Sequence, residues 1–378
     1  MQEAILVPGA GLEPARLLRT QDFESSASTN SATRALWDAK VVKKYLYLQI
    51  MDRTFETIRI ETGTKITDVI PLLKDYKDVF VVYDKAVEAF AKQLKPKAFL
   101  PLRGGESIKT LATVEKIARW LMDCEAGRDA FLLIIGGGTV SDVSALAASV
   151  YKRGIRFGIV PTTLLAQVDA AIGGKTAVNL DGVKNVLGTF SLPEFTFICH
   201  EPLATLPKKE FLNGATELLK TLIISGQGYE DAVAHLKAGV CPEGLVTASA
   251  RFKASIVEKD PYDLKERRVL NLGHTYGHAI EAVTASEGKA LPHGEAVAIG
   301  IIMAAQLAEK IGKAEKGFAA KLEADFKAIG LPTECPAASA QLENYIRQDK
   351  KAEGGSVRMV LPIGIGQTEE YDLCIAHK

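Results

Sequence analysis

The sequence predicts an α/β half with a largely parallel sheet, followed by a mainly helical half, with the join near Thr205. Three observations carry this expectation. From about residue 54 to 200, short apolar runs alternate with amphipathic stretches, the rhythm of βαβ units. Beyond 205 the strand pattern nearly vanishes and long runs of helical period replace it. With 378 residues, 47% of them apolar and 24% charged, the chain is long enough for two cores.

Taken in order, residues 1–50 stand apart. Gln21 to Arg34 is rich in Ser, Thr, Ala and Asn, has neither period, and cannot bury enough apolar surface to offset the entropy of ordering. Two readings stand side by side: a translation start near Met51, and a genuine disordered tail. The alternation Thr54 to Ile60 reads as a strand, and Val79 to Tyr83 and Ala130 to Ile135 as buried strands. Thr110 to Met122 fits a helix between them, and Ile155 to Pro161 a further strand. Helices are expected over Lys208–Ser225, Pro242–Val257, Thr275–Ala285 and His293–Ile311, without internal repeat.

Composition excludes some functions. Lys+Arg and Asp+Glu both total 46, so no global field favours nucleic acid or an anionic membrane. The five cysteines are scattered and never spaced as CxxC, which fits a reducing compartment. The strongest apolar run, Ala296 to Ala308, is too short to span a bilayer and reads as a buried helix. No basic-then-apolar leader pattern opens the chain, so a cytoplasmic protein is expected.

Chemistry concentrates late. Three of the six histidines fall in Leu270-Asn271-Leu272-Gly273-His274-Thr275-Tyr276-Gly277-His278 and the nearby His293-Gly294-Glu295. Imidazole is the commonest protein metal ligand, so a metal or proton-transfer site is expected. His274 and His278 share a helix face and could form a pair of ligands. Glu217, His274 and His293 make an alternative set, one carboxylate and two imidazoles, suited to Zn²⁺ or a similar ion with open positions. Glu217 and Lys220 also share a side at i, i+3. Upstream, Gly136-Gly137-Gly138 joins a strand to a helix, where backbone N–H groups can approach a phosphate, although the GxGxxG fingerprint is absent. Gly104 to Lys109 opens another helix, with Glu106 and Lys109 on one face as either an ion pair or part of a site. Gly173-Gly174-Lys175 and Lys184-Asn185 suit a substrate bearing phosphate or carboxylate, without the Walker spacing.

Together these motifs resemble the 3-dehydroquinate synthase family, from about residue 54 to the C-terminus. The resemblance rests on GGGTVSD (136–142), YKRG (151–154), PTTLLAQVDAAIGGKTAVN (161–179), GVKN (182–185), TELLK (216–220), LNLGHTYGHAIE (270–281), HGEAVA (293–298) and DKK (349–351). It implies a Rossmann-like NAD-binding α/β domain over 51–205 and an all-α metal- and substrate-binding domain over 206–378. It implies Glu217, His274 and His293 as ligands of Zn²⁺ or Co²⁺, with His278 turned to the substrate instead. NAD contacts carry over to Asp84, Glu106, Lys109, Gly137, Gly138, Asp142, Thr162, Thr163, Lys184 and Thr205. Substrate contacts carry over to Asp169, Lys175, Asn185, Lys253, Arg267, Asn271, His278 and Lys351, and catalytic roles to Lys175, Lys220, Arg267, Asn271 and His278. Arg153 is expected to reach the neighbouring subunit's site, which implies a homodimer. The implied reaction turns 3-deoxy-arabino-heptulosonate 7-phosphate into 3-dehydroquinate and phosphate by transient oxidation, phosphate elimination, re-reduction and intramolecular aldol closure. Departures from the family pattern fall at Ala145, Ala170-Ala171 and Cys199-His200, none of which removes an ionisable group from that chemistry. Rival readings are a cyclase of sedoheptulose 7-phosphate, a metal-dependent alcohol dehydrogenase of the glycerol dehydrogenase type, and an inactive NAD- or phosphate-sensing module.

Overall fold

The structure, a computed structural model, describes residues 57–352 and 357–373, without the side chains of 348–352. The expected extension 1–50 lies outside the described residues. Six parallel strands form the main sheet: β1 (Ile60–Gly63), β2 (Val79–Asp84), β3 (Ala98–Leu102), β4 (Phe131–Gly136), β5 (Arg156–Pro161) and β8 (Thr196–Cys199). Their spatial order is β1-β8-β5-β4-β2-β3. The first strand is shorter than the sequence pattern predicts. β1 starts at Ile60 because its partner β8 offers no residue before Thr196, while 54–56 lie outside the described residues.

β4 is buried at every position, which is why it reads as an unbroken apolar run. Leu132 and Ile134 enter one core with Ile117 and Val143; Leu133 and Ile135 enter the other with Tyr83 and Phe195. Truncating such a side chain to Ala costs about 2–5 kcal/mol. Helices α1 (Glu88–Ala91), α2 (Leu111–Asp123) and α3 (Gly138–Val150) connect the strands. The Thr110 hydroxyl caps α2 by accepting from Thr113 N at 3.2 Å, and Val114, Ile117 and Leu121 form its buried stripe. The chain leaves β4 through α3 to reach β5 on one side, with β2 on the other. That reversal opens a crevice beyond the C-terminal strand ends, the usual ligand position in such sheets.

Over the crevice lies an antiparallel hairpin, β6 (Lys175–Leu180) and β7 (Val183–Phe190). Asp181 (φ 49°) and Gly182 (φ 81°) turn it, a two-residue loop with both centres left-handed. Gly188 is required there, since a Cβ would stand 1.8 Å from the Thr176 carbonyl oxygen.

The following half consists of α4 (Lys208–Ser225), α5 (Tyr229–Lys237), α6 (Glu243–Lys259), α7 (His274–Ser286), α8 (His293–Lys310), α9 (Phe318–Ile329) and α10 (Ser339–Ala352). Glycines bring α7 and α8 together: a Cβ on Gly300 would lie 2.1 Å from the Gly273 carbonyl oxygen. This half also holds an antiparallel hairpin outside the helical expectation, β9 (Val357–Gly364) with β10 (Gln367–Leu373). It forms because Met359 and Leu361 cover Ala304 and Ala308 of α8. The helical part is therefore closed by a small β element. Among the described residues no helix is long and apolar enough to cross a membrane.

Candidate active site

Three helices deliver one cluster. Glu217 projects from the buried middle of α4, while His274 and His293 are the first residues of α7 and α8. His293 Nε2 lies 3.6 Å and His274 Nε2 4.0 Å from Glu217 Oε1. One ligand atom from each of the three falls within 4.8 Å of the others. Glu217 is fully buried, and neither of its carboxylate oxygens accepts a well-aligned hydrogen bond. Lys220 Nζ stands 2.6 Å from Oε2, an ion-pair distance without hydrogen-bond alignment. Lys220 offsets part of the cost of burying this carboxylate, and the oxygen that faces the histidines suits a further cation.

The electrostatics of the two imidazoles diverge. Burial pushes His274 down to about 3, so it is neutral with a free Nε2 lone pair. Burial also opposes protonation of His293, but Glu217 and Glu281 outweigh it and raise that group to about 10. The cluster thus draws positive charge to His293, and a cation taking the place of that proton would meet one carboxylate and two imidazole nitrogens. That donor set fits a divalent ion such as Zn²⁺ or Co²⁺. His278 does not join this set; its nearest grouping is with Glu281 and His293.

Beside the cluster, Asp169 receives two buried lysines. Lys253 Nζ donates to its Oδ1 at 2.7 Å and to its backbone carbonyl at 2.6 Å, and Lys220 Nζ is 4.0 Å from the same Oδ1. Arg267 is also buried, its guanidinium donating only to the carbonyls of Pro261 and Gly173. Among the described residues no carboxylate pairs with it directly, although Asp263, Asp169 and Asp260 lie close enough to favour its charge, and this leaves it available to an anion.

The strand ends make a second cradle. Gly137 caps α3 in extended conformation, and a Cβ there would meet Thr163 Cγ2 at 2.9 Å, so the bare backbone lets the turns after β4 and β5 pack together. Asp84 ends β2 and accepts from Gly104 N at 3.3 Å. Lys109 Nζ pairs with Asp142 Oδ2 at 2.6 Å and also donates to Asn185 Oδ1. Burial lifts Asp142 to about 6, with Lys109 acting against the shift. Asn179 staples the hairpin to this cradle: its amide donates to Glu106 Oε1 at 2.7 Å and its carbonyl oxygen accepts from Asn185 N at 2.8 Å.

Comparison with known proteins decides between the alternatives. The families described as "3-dehydroquinate synthase N-terminal" and "3-dehydroquinate synthase C-terminal" match residues 99–213 and 214–352. A 3-dehydroquinate synthase from Thermococcus kodakarensis is 40% identical over 291 residues, covering 76% of this chain and 81% of the relative. The chain belongs to the 3-dehydroquinate synthase family. A relative of the same name from Shewanella loihica is 43% identical over 279 residues, 71% of this chain and 77% of its own. Among solved structures, a 2-deoxy-scyllo-inosose synthase complexed with carbaglucose-6-phosphate, NAD⁺ and Co²⁺ superposes with a TM-score of 0.72 at 27% identity, covering 82% of this chain and 91% of that one.

The structure brings several of the expected residues together and leaves others apart. Glu217, His274 and His293 meet, Lys220, Asp169 and Lys253 adjoin them, and Lys184 reaches Glu281 beside His293 at 3.2 Å. Asp84, Glu106, Lys109, Gly137, Gly138, Asp142, Thr162 and Thr163 follow the strand ends. Lys175 is engaged by Asp263 at 2.5 Å. Asn271 is exposed, next to the N-terminus of α7. Thr205 sits in the turn before α4, its hydroxyl donating to the Pro202 carbonyl. Arg153 is exposed in a left-handed conformation (φ 71°) after Lys152 (φ 50°), apart from both clusters. The Lys351 side chain lies outside the described residues. Sequence reasoning missed Asn179, Asp263 and Glu281. Only Glu281 carried a local signal, since it follows His278 by three positions on one helix face.

Proposed function

We propose that this chain is a carbon–oxygen lyase converting 3-deoxy-arabino-heptulosonate 7-phosphate into 3-dehydroquinate and phosphate, with bound NAD and a Zn²⁺ or Co²⁺ ion. One observation carries the reading: a fully buried Glu217 without aligned hydrogen bonds faces two imidazole Nε2 atoms, next to an Asp169–Lys220–Lys253 network. Glu217, His274 and His293 hold the ion, and the cradle at the ends of β2, β4 and β5 holds the dinucleotide. When bound, these groups supply Lewis acidity and a hydride acceptor.

The residues of the chain account for the rest. The Lys220 ammonium stands between Glu217 and Asp169, where it can donate to a substrate hydroxyl and steady the charge that grows on its oxygen. Arg267 and Lys253 receive the substrate carboxylate, with Asn271 and Lys351. Lys175, Asn185 and His278 receive the phosphate and stabilise its departure. Retention of this carboxylate-binding set favours an acidic sugar phosphate over sedoheptulose 7-phosphate.

The division into an NAD-binding domain, 51–205, and a metal- and substrate-binding domain, 206–378, belongs to the same proposal, as does a cytoplasmic location. A homodimer belongs to the same proposal: Val150, the last residue of α3, is 50% exposed, and the exposed Arg153 follows it by three positions, so this end of α3 offers a contact. Arg153 would cross that contact to the partner's phosphate site. The test is phosphate release from the heptulosonate phosphate with NAD⁺ and Zn²⁺ or Co²⁺, followed at the NADH absorbance band. Stoichiometric phosphate without lasting NADH is expected. NADH accumulating on a polyol, without phosphate, would instead assign the chain to dehydrogenase chemistry.

A further inference from the structure

His293 has a carboxylate at each ring nitrogen. Nε2 lies 3.6 Å from Glu217 Oε1 and Nδ1 lies 3.1 Å from Glu281 Oε2. An imidazole that gives its Nε2 lone pair to an ion must carry its proton on Nδ1, and that proton needs an acceptor. Glu281 is positioned to be that acceptor. His274 meets the same requirement differently, with Nδ1 3.2 Å from the Leu272 carbonyl oxygen of its own turn. His293 begins α8 after Pro292, and among the described residues its Nδ1 meets a side chain of another helix, Glu281, instead of a carbonyl of its own turn.

Glu281 is itself held from the other half. It lies on α7 one turn beyond His278, with its side chain 14% exposed, and Lys184 Nζ reaches its Oε1 at 3.2 Å. Lys184 is on β7 of the hairpin over the cofactor crevice. The two carboxylate oxygens are therefore divided, one toward the hairpin and one toward the imidazole.

We infer that Glu281 is a positioning residue that fixes His293 in its ion-binding tautomer, and that Lys184 orients Glu281 for this role. The inference rests on the proposed metal reading of Glu217, His274 and His293. Outer carboxylates of this kind change metal affinity about 10–100-fold when removed.

The test measures Zn²⁺ and Co²⁺ affinity of the full chain by competition with a chromogenic chelator, alongside the visible spectrum of the Co²⁺ form. Glu281→Ala is expected to weaken metal binding about 10–100-fold and alter the Co²⁺ spectrum. Glu281→Gln, which keeps an acceptor oxygen in a side chain of the same shape, should recover part of the affinity and guards against misfolding of the alanine variant. Lys184→Met should weaken binding several-fold in the wild-type background and not at all beside Glu281→Ala, the signature of residues acting through one another. Wild-type affinity and spectrum in both Glu281 variants would overturn the positioning role, and equal effects of Lys184→Met in the two backgrounds would overturn the link to Lys184. His293→Ala separates the two levels. If it binds metal as the wild type does, the ligand assignment itself fails. If it loses metal while Glu281→Ala does not, only the inference fails.

Discussion

At Asp169 a single carboxylate serves two buried cations. Lys253 is 7% exposed and Lys220 1%, and neither has a second carboxylate to itself, because Glu217 beside Lys220 also faces the histidines. Burial pulls the Lys253 ammonium down from its usual range, and Asp169 opposes that pull. Asp169→Asn should therefore destabilise the fold by about 3–5 kcal/mol near neutral pH, the usual result of stranding a buried charge. With its partner gone, the folded Lys253 holds its proton more weakly than the unfolded chain does. Between those two pKa values the unfolded state binds more protons, so stability rises with pH. Urea unfolding of the variant should show the deficit shrinking as pH rises toward the ordinary lysine value of 10.5. A deficit constant from pH 7 to 10 would mean that Lys253 stays charged without Asp169.

The site depends on how helices meet and how turns are held. Gly300 allows α8 to touch the Gly273 carbonyl, the position just before His274. Gly300→Ala must part the helices, so a loss of about 1–3 kcal/mol is expected from overpacking. Weaker Co²⁺ binding should accompany the fall in Tm, because His274 moves relative to His293. Unchanged metal affinity at a lowered Tm would uncouple the two. The turn after α6 is tied by Asp260, which accepts from Leu264 N at 2.9 Å, Arg267 N at 3.1 Å and also Lys265 N. Burial works against this carboxylate, yet those three N–H groups outweigh it and hold the acid below its usual range. The folded state then binds fewer protons than the unfolded chain, so this contribution is full above the unfolded value of 3.8 and fades as pH falls below it. Asp260→Asn should lower Tm at pH 7 and narrow its gap to wild type in acid; a gap that widens in acid would reverse the sign of the shift. Local elements of this kind were largely legible in the sequence. The Lys208–Ser225 helix emerges with the bounds its period predicts, and the Thr110–Met122 pattern emerges as a helix over Leu111–Asp123 with Thr110 as its cap, because period and capping are encoded by neighbours. The Asp181-Gly182 turn is legible in principle, but in the sequence Gly173-Gly174-Lys175 and Lys184-Asn185 read as phosphate- or carboxylate-binding groups near glycine-rich turns rather than as parts of one hairpin. Glu281, Asp263 and Asn179 were not legible as partners, since they meet Lys184, Lys175 and Glu106 from 97, 88 and 73 residues away. Such pairings arise only when the sheet and the helices come together.

Across the whole molecule, ion pairs at the cleft help to join the α/β half to the helical half. Lys253–Asp169, Lys184–Glu281 and Lys175–Asp263 all cross it. The last pair has a direct consequence for substrate binding. Lys175 is expected to receive the phosphate, yet in this state its partner is the carboxylate of Asp263, held in a left-handed conformation (φ 61°) that non-glycine residues seldom adopt. A phosphate can reach Lys175 only by displacing that carboxylate. Lys175 is 51% exposed and Asp263 22%, so the pair is screened and worth about 0.2–1 kcal/mol. Asp263→Asn keeps a side chain that tolerates the left-handed region and removes the competing charge. The Kd for the heptulosonate phosphate should then fall by up to about fivefold, the factor equivalent to 1 kcal/mol. Raising the salt should shrink the difference between variant and wild type, because the competition is between partly exposed charges. If Asp263→Asn binds the substrate no more tightly at low salt, then Asp263 does not compete for Lys175, and its contact with the lysine serves only to hold the cleft together.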